Sequence, residues 1–411
     1  MFVVNKRYFT SHSNRFYIKT FNKISESGLN CFSNTRYAMT KDNNEHAIML
    51  RSHVLKKSDI SNSCIAIARC GSGTNNCNVE LMTSLGIPVF NTPGANANSV
   101  KELVICAILL SSRNIIQAVN KVNNVYKSNI DDIHDKIEQL KFEFLGKEIK
   151  GKTIGIIGLG DIGKKVADIS QSFGMNIIGY DPNLTLQNAL HLPKNIEIAD
   201  SITKVMEMSD YITIHVPYNK NITYHLLDND SLSAMKQDAT LLNFSRDELI
   251  DTKSLSVLKK SGAWTGKYVS DFHNNDMKEY NDSIIIPHLG ASTVEAESNS
   301  AIIAANTLKS YLEIGEITNS VNFPTVKPYA CSEMHTRLSI VNNNKPGVLN
   351  GVMNVFNKYT INVEQQLSVS NDRIAYNIID IQTTPNNLIT IECILPEIDL
   401  INNVVRTRII K

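Results

Sequence analysis

The chain has 411 residues with 41 Lys and Arg against 40 Asp and Glu, a net charge of +1. That length exceeds a single core and implies two or three domains, and the balanced charge gives no footprint for nucleic acid or an anionic membrane. The longest strongly apolar run, 103–110, is far short of the ~20 residues a membrane-spanning helix needs. Seven cysteines, at 31, 64, 70, 77, 106, 331 and 393, are odd in number and form no C-x-x-C pair. They read as reduced thiols in a reducing compartment, and nothing in the sequence suggests a metal site.

The first 24 residues carry Lys6, Arg7, Arg15, Lys19 and Lys23, and the first acid is Glu26. A basic, acid-poor start resembles a transit peptide. Phe16 to Thr20 already reads as a strand, so residues 1–15 form an extension that suits a short cytosolic tail equally well. The expected location is cytoplasmic, with mitochondrial as the alternative. From 16 to 100, short apolar runs (47–50, 64–68, 88–90) alternate with polar segments, the βα rhythm of a parallel sheet. A helix is expected over 100–118, followed by a charged stretch over 127–150.

Thr153 to Ile157 then runs into Gly158-Leu159-Gly160-Asp161-Ile162-Gly163, a G-x-G-x-x-G pattern between a strand and a helix. Gly158 permits the tight turn, Gly160 lets backbone amides approach a pyrophosphate, and Gly163 allows close helix packing. The helix N-terminus offers unpaired N–H groups and a positive dipole end. The next strand, 176–180, ends in Asp181, where a carboxylate suits ribose hydroxyls and repels a 2′-phosphate, favouring NAD over NADP. Further strands are expected over 211–216, 239–243 and 284–286, and Ser292 to Glu295 reads as an S-x-x-E capping box for a helix reaching Ile314. Residues 318–334, with Pro324 and Pro328, suit a linker. Beyond it the order is β-α-β-β-α-β (strands 335–342, 361–370, 372–382 and 404–410; helices 346–358 and from about 386), which is ferredoxin-like.

Polar residues cluster at loops following strands, where doubly wound sheets place ligands. They include Arg51-Ser52, the Arg69 to Asn76 loop, Asn91 to Ser99, Ser245-Arg246, Asp271 and His288. Together with His215-Val216-Pro217, Asn243-Phe244-Ser245-Arg246, Pro287 to Thr293 and Val321-Asn322-Phe323-Pro324, these motifs resemble the D-isomer-specific 2-hydroxyacid dehydrogenase family, in family order from about residue 16 to the C-terminus. The closest likeness is to members that oxidise D-3-phosphoglycerate and carry a C-terminal ACT domain. The resemblance implies a doubly wound cofactor domain (101–293) inserted in a flavodoxin-like substrate domain (16–100 and 294–317), and an ACT domain over 335–411.

The resemblance also implies roles. His288 becomes the acid/base, a task imidazole suits near neutrality. Arg246 pins the substrate carboxylate with a two-pronged contact that lysine cannot match. Asp276, where the family has Glu, pairs with the histidine. Gly158, Gly160, Asp161, Ile162, Gly163, Asp181, His215, Val216, Pro217, Ser245, Asp271 and Gly290 serve NAD. Arg51, Ser52, Gly71, Ser72, Gly73 and Asn96 serve the substrate, with Lys141 as a possible further cation. Asp247 departs from the family's glycine and competes for Arg246. His273 is a rival base outside the motif. Asn342, Asn344 and Asn362 correspond to the ACT site for an amino-acid effector, with Asn342 replacing a histidine. The implied reaction is NAD-dependent oxidation of D-3-phosphoglycerate to 3-phosphohydroxypyruvate by a homodimer or homotetramer. The alternatives are another D-2-hydroxyacid dehydrogenase of glycerate or glyoxylate type, and a dinucleotide-sensing corepressor-like scaffold.

Overall fold

A computed structural model describes residues 15–127, 133–331, 335–382 and 394–410. The basic start, residues 1–14, and most of the expected second ferredoxin-like helix lie outside them. The chain forms two compact units, Met1–Ala95 with Glu297–Lys411, and Asn96–Ala296. Among the described residues no single helix is long and apolar enough to cross a membrane.

The first unit begins with β1 (Phe16–Thr20), α1 (Glu26–Leu29), β2 (Tyr37–Thr40), β3 (Ala47–Leu50), β4 (Ala66–Arg69), α2 (Val79–Ser84) and β5 (Val89–Phe90). Its parallel sheet has the order β2-β1-β3-β4-β5. Period-2 geometry explains the continuous apolar runs, because both faces are covered. Ala47, Met49, Ala66 and Ala68 enter one core, and Ile48, Leu50 and Ile67 enter another on the opposite face. The edge strand β2 has too short an apolar pattern to stand out in the sequence.

The second unit contains α3 (Ala97–Ser112), α4 (Ile115–Tyr126), α5 (Ile133–Leu140), β6 (Thr153–Ile157), α6 (Asp161–Ser172), β7 (Asn176–Tyr180), α7 (Leu186–Ala189), β8 (Ile196–Ile198), α8 (Ile202–Met208), β9 (Tyr211–Ile214), α9 (Asn229–Ser233), β10 (Thr240–Asn243), α10 (Thr252–Ser261), β11 (Tyr268–Ser270) and β12 (Ile284–Ile285). The expected helix over 100–118 is two helices. They break at Asn114, whose φ of 52° is left-handed, and the Lys267 ammonium binds the Asn114 side chain and the Ser111 carbonyl there. The seven-stranded sheet has the order β12-β11-β10-β9-β6-β7-β8, all parallel. Chain direction across the sheet reverses at β6 and β9, so the ligand-binding switch point lies at their carboxyl ends.

Helix α11 (Val294–Ile314) leads to β13 (His335–Asn343), α12 (Val348–Lys358), β14 (Val363–Ser370), β15 (Ile374–Gln382), a helix over 394–399 and β16 (Val404–Ile409). The antiparallel order β14-β15-β13-β16 is ferredoxin-like. The Thr293 hydroxyl, rather than Ser292, caps α11 by accepting from the Ala296 amide at 3.1 Å.

The first part of the expected linker, 318–326, instead joins the first unit's core. Asn322 accepts from the Val89 amide and donates to the Ile87 carbonyl and Thr83 hydroxyl, while Phe323 and Val326 are buried. One face of the C-terminal sheet carries the apolar cluster around Leu338, Val352 and Phe356. The other contributes Val341, Ile374, Tyr376 and Ile378 to the core that holds Ile18, Phe90 and Tyr311. Two buried guanidiniums finish α11. Arg337 donates to the Ile314 carbonyl and forms a two-pronged pair with Asp380 at 2.7 Å, and Arg408 donates to the Tyr311 and Leu312 carbonyls. The Tyr376 hydroxyl takes the Gly315 carbonyl at 3.0 Å. Cations on the last carbonyls complement the negative end of the helix.

Candidate active site

In the second unit the glycine loop follows directly from β6. Gly158 has φ +92°, and a Cβ there would lie 2.6 Å from the His215 carbonyl oxygen. A Cβ at Gly163 would meet the Gly158 oxygen at 1.9 Å, so only glycine lets α6 start this close to the strand. A Cβ at Gly160 would meet nothing within 4 Å, so packing does not require that glycine. The open space stands over the first turn of α6, where Gly160 caps the helix without a side-chain partner for the Asp161 and Ile162 amides.

Asp181, at the end of β7, accepts from the Leu159 amide at 2.9 Å and from the Asn183 amide at 2.9 Å. Its carboxylate is therefore fixed against the glycine loop. His215 follows β9 with Nε2 3.0 Å from the Thr213 hydroxyl, and its Nδ1 is buried without a protein partner among the described residues. Burial pushes its pKa down to about 3, so the ring is neutral. Val216 packs beside Gly158, and the Pro217 carbonyl accepts from Thr223. This donor set fits a dinucleotide: bare amides and open space for a pyrophosphate, and a fixed carboxylate for a ribose.

The reacting groups stand at the ends of β10, β11 and β12. Asn243 is fully buried, accepts from the Ser245 amide and donates to the Arg246 carbonyl at 2.8 Å, and the Ser245 hydroxyl holds the Ile214 carbonyl. These bonds set Arg246 in extended backbone, half-buried, with one Nη1 contact to the Ser245 carbonyl and no ion pair among the described residues. Asp271 is 2 % exposed and accepts from the Gly290 amide at 3.0 Å, pinning the loop that carries His288. Burial raises its pKa, opposed by the Gly290 hydrogen bond and by the positive charges of His288 and Arg246. Its Oδ1 is buried and has no hydrogen-bond partner among the described residues. His288 is exposed, with its ring edge-on to Phe272 at a centroid distance of 4.8 Å. Arg246, Asp271, His288 and Gly290 are thus brought into one electrostatic cluster.

Two expectations need correction. Asp276 accepts from the Thr252 hydroxyl at 2.9 Å, and none of its described hydrogen bonds reaches His288. The Asp276 carboxylate is bonded at the start of α10, and the charge of His288 acts on Asp271. Asp247 does not compete for Arg246, because the Asn274 amide binds both of its oxygens, at 3.0 and 3.3 Å. It opens a short 3-10 turn with no left-handed torsion, so glycine is not required there. His273 is exposed against Asn275, and Lys141 pairs with Glu138.

In the first unit, Arg51 and Ser52 follow β3. The Asn22 side chain accepts from the Ser52 and His53 amides, and Asn76 donates to the Arg51 and His53 carbonyls. The Arg51 Nη1 lies 2.5 Å from Glu297 Oε1, in the first turn of α11. The Gly71-Ser72-Gly73 loop follows β4 and is held by Thr92 and Asn91, which donate to the Gly71 and Ser72 carbonyls. A Cβ at Gly71 would meet the Arg69 guanidinium at 2.0 Å, so Arg69 adds a cation to this loop. Its position as the last residue of a strand was the available signal. Asn96, in the second unit, caps α3 without a side-chain bond.

The three asparagines on the C-terminal sheet are placed differently from one another. Asn342 is buried, accepting from Asn377 at 2.8 Å and donating to the Asn343 carbonyl, so its amide is already committed to the sheet. Asn344 donates to the Asn371 carbonyl, and Asn362 donates to Glu364. The register puts Asn344 at the Ile374 end of the sheet and Asn362 at the Ile381 end. A ligand touching both needs two copies of the sheet.

A doubly wound dinucleotide unit with an imidazole, a guanidinium and a buried carboxylate at its strand ends is built as a nicotinamide-dependent oxidoreductase. Residues 108–290 match the family model of the D-isomer specific 2-hydroxyacid dehydrogenase NAD binding domain. The D-3-phosphoglycerate dehydrogenase of Haemophilus influenzae is 30% identical over 330 residues, 78% of this chain and 76% of that protein. D-3-phosphoglycerate dehydrogenase 1 of Saccharomyces cerevisiae is 30% identical, over 82% of this chain and 73% of its own. Among solved structures, Rhodotorula graminis D-mandelate dehydrogenase superposes with a TM-score of 0.63 at 17% identity, covering 77% of this chain and 100% of that one. The Aquifex aeolicus D-lactate dehydrogenase complexed with NAD and lactic acid gives 0.57 at 20%, covering 75% and 100%. The chain belongs to the D-isomer specific 2-hydroxyacid dehydrogenase family.

Proposed function

We propose that this enzyme oxidises D-3-phosphoglycerate to 3-phosphohydroxypyruvate with NAD, opening the phosphorylated route to serine. The observation that carries the chemistry is the cluster of His288, Asp271 and Arg246 at the strand ends of the dinucleotide unit. The named relatives, covered to 76% and 73% of their length, carry the choice of substrate.

NAD, when held by the Gly158–Gly163 loop and Asp181, would supply the hydride-accepting chemistry. Arg246 binds the substrate C1 carboxylate in a two-pronged contact and polarises the oxygen on C2. An imidazole nitrogen of His288 takes the C2 hydroxyl proton as the C2 hydrogen leaves as hydride, and later releases that proton to solvent. The buried Asp271 holds the histidine loop through Gly290. In the first unit, Arg51, Arg69 and the Gly71–Gly73 loop gather positive charge and donors of the kind a phosphate takes.

The active form in this reading is a homodimer or larger. Ile115, Ile116 and Val119 of α4 and the nearby Phe142 and Leu145 are exposed apolar side chains suited to a second copy. The ferredoxin-like sheet is read as an ACT domain. Because Asn342 is committed internally, serine inhibition is expected to be weak or absent. NADH formation at alkaline pH with phosphoglycerate, glycerate and lactate in parallel tests the substrate. A kcat/KM highest for phosphoglycerate supports the reading, and equal or better use of glycerate or lactate refutes it.

A further inference from the structure

The loops after β10 and β11 are joined by one buried side chain outside the reacting cluster. Asn274 is 5 % exposed. Its Nδ2 donates to Asp247 Oδ1 at 3.0 Å and Oδ2 at 3.3 Å, and its Oδ1 accepts from the Asp276 amide at 2.9 Å and the Met277 amide at 3.1 Å. The amide therefore uses both ends: one holds the carboxylate next to Arg246, the other fixes the backbone five and six residues past Asp271. Asp276 continues the chain of contacts to Thr252 at the start of α10.

Asp247 is half-buried, and Glu248 and Asp276 both add negative charge around it, with the His273 imidazole on its other side. A carboxylate in that setting needs donors. Without the Asn274 amide that carboxylate loses its side-chain donor, and Arg246 is the cation next to it in the chain. A guanidinium engaged by an internal carboxylate is no longer presented to the carboxylate of a substrate.

We propose that Asn274 is a positioning residue for the oxidation. It holds Asp247 away from Arg246 and so keeps the guanidinium available to substrate. The proposal rests on the reading of Arg246 as the carboxylate-binding residue. It also accounts for the chain's tolerance of an acid directly after that arginine, because the acid and its amide partner act as a unit.

The test is a double-mutant cycle of Asn274→Ala and Asp247→Asn. It is measured on the full-length protein with whichever of phosphoglycerate, glycerate or lactate the wild type oxidises fastest. Asn274→Ala is expected to raise the KM for the hydroxy acid about tenfold or more, the scale of a charged hydrogen bond, with the KM for NAD within a factor of about two. Asp247→Asn in the same chain removes the competing charge and is expected to return most of that KM. Asn274→Asp, which sets two carboxylates together, is expected to lose more than the alanine variant, and increasingly so as pH rises. NAD affinity by fluorescence and the thermal midpoint separate this from unfolding. A purely structural role for Asn274 predicts loss of kcat and stability with no rescue by Asp247→Asn, and that result overturns the proposal. An unchanged substrate KM in Asn274→Ala also overturns it. Preference for glycerate or lactate refutes the phosphoglycerate reading alone, and oxidation of none of the three refutes both.

Discussion

Glu297 offers a direct test of the proposed phosphate site. Its Oε1 lies 2.5 Å from Arg51 Nη1, with the two side chains 43% and 36% exposed. On the proposed reading, in which Arg51 takes the substrate phosphate, this carboxylate competes with the phosphate for the guanidinium. Solvent discounts that competition. Exposed ion pairs are worth roughly 0.2–1 kcal/mol, and unit charges 4 Å apart in water interact by about 1 kcal/mol. The sum after screening is about 1 kcal/mol, or roughly fivefold in KM. Glu297→Gln keeps the shape and removes the charge. The variant should lower the KM for phosphoglycerate about fivefold, leave kcat near wild type, and leave the KM for glycerate unmoved. The difference should shrink as salt rises, since exposed charges are screened. Initial rates against both substrates at two ionic strengths give the answer. An equal change for glycerate, or no change for phosphoglycerate, would show that Arg51 and Glu297 are not at the phosphate position.

His288→Ala should cut kcat by about 10²–10⁴ while NAD affinity holds, as expected for loss of a proton-transfer group; retained turnover would remove His288 from that role. Asp380→Ala leaves the buried Arg337 cation unpaired and should cost about 3–5 kcal/mol in denaturant unfolding; a loss under about 1 kcal/mol would contradict the buried-pair argument. His46 and His215 are both held neutral by burial, with pKa values lowered to about 4 and about 3. Each binds a proton more readily when unfolded, so stability is full above the unfolded pKa near 6.5 and falls as pH drops toward 4, by up to about 1.4 kcal/mol per pH unit for each group. Thermal midpoints from pH 7 to 4.5 measure that slope, and His46→Gln should flatten it.

The dinucleotide half of the site was legible because its constraints are local. A strand, three glycines and an acid at the next strand end are fixed by turn geometry within about thirty residues. Arg246 and His288 were legible only through the resemblance, since no spacing rule links loops after different strands. The partner of Asp276 was not legible, because Thr252 stands at the start of α10, 24 residues away in sequence. Asn274 gave no signal either: an Asn in a polar loop looks the same whether it faces water or holds a buried acid. The helix break at Asn114 escaped the apolar periodicity, which continues across it. The segment over 318–334 reads as a linker from its prolines, yet Asn322 and Phe323 tie it to β5 by contacts far away in sequence. The buried face of the C-terminal sheet is another long-range property that strand alternation alone cannot assign to a neighbour.

The shared core of the first unit sets an order of assembly on the ribosome. Ile18 and Phe90 emerge early, yet the cluster that buries them also needs Tyr376 and Ile378, which are made near the end of synthesis. Until then one apolar flank of the N-terminal sheet is exposed and the last carbonyls of α11 lack their arginines. The second unit, continuous in sequence, is free to fold while the first waits. Such long-range closure slows folding and prolongs exposure to misassembly. A nascent chain stalled before β13 should therefore be a chaperone client, with a protease-resistant dinucleotide unit and an unprotected N-terminal segment.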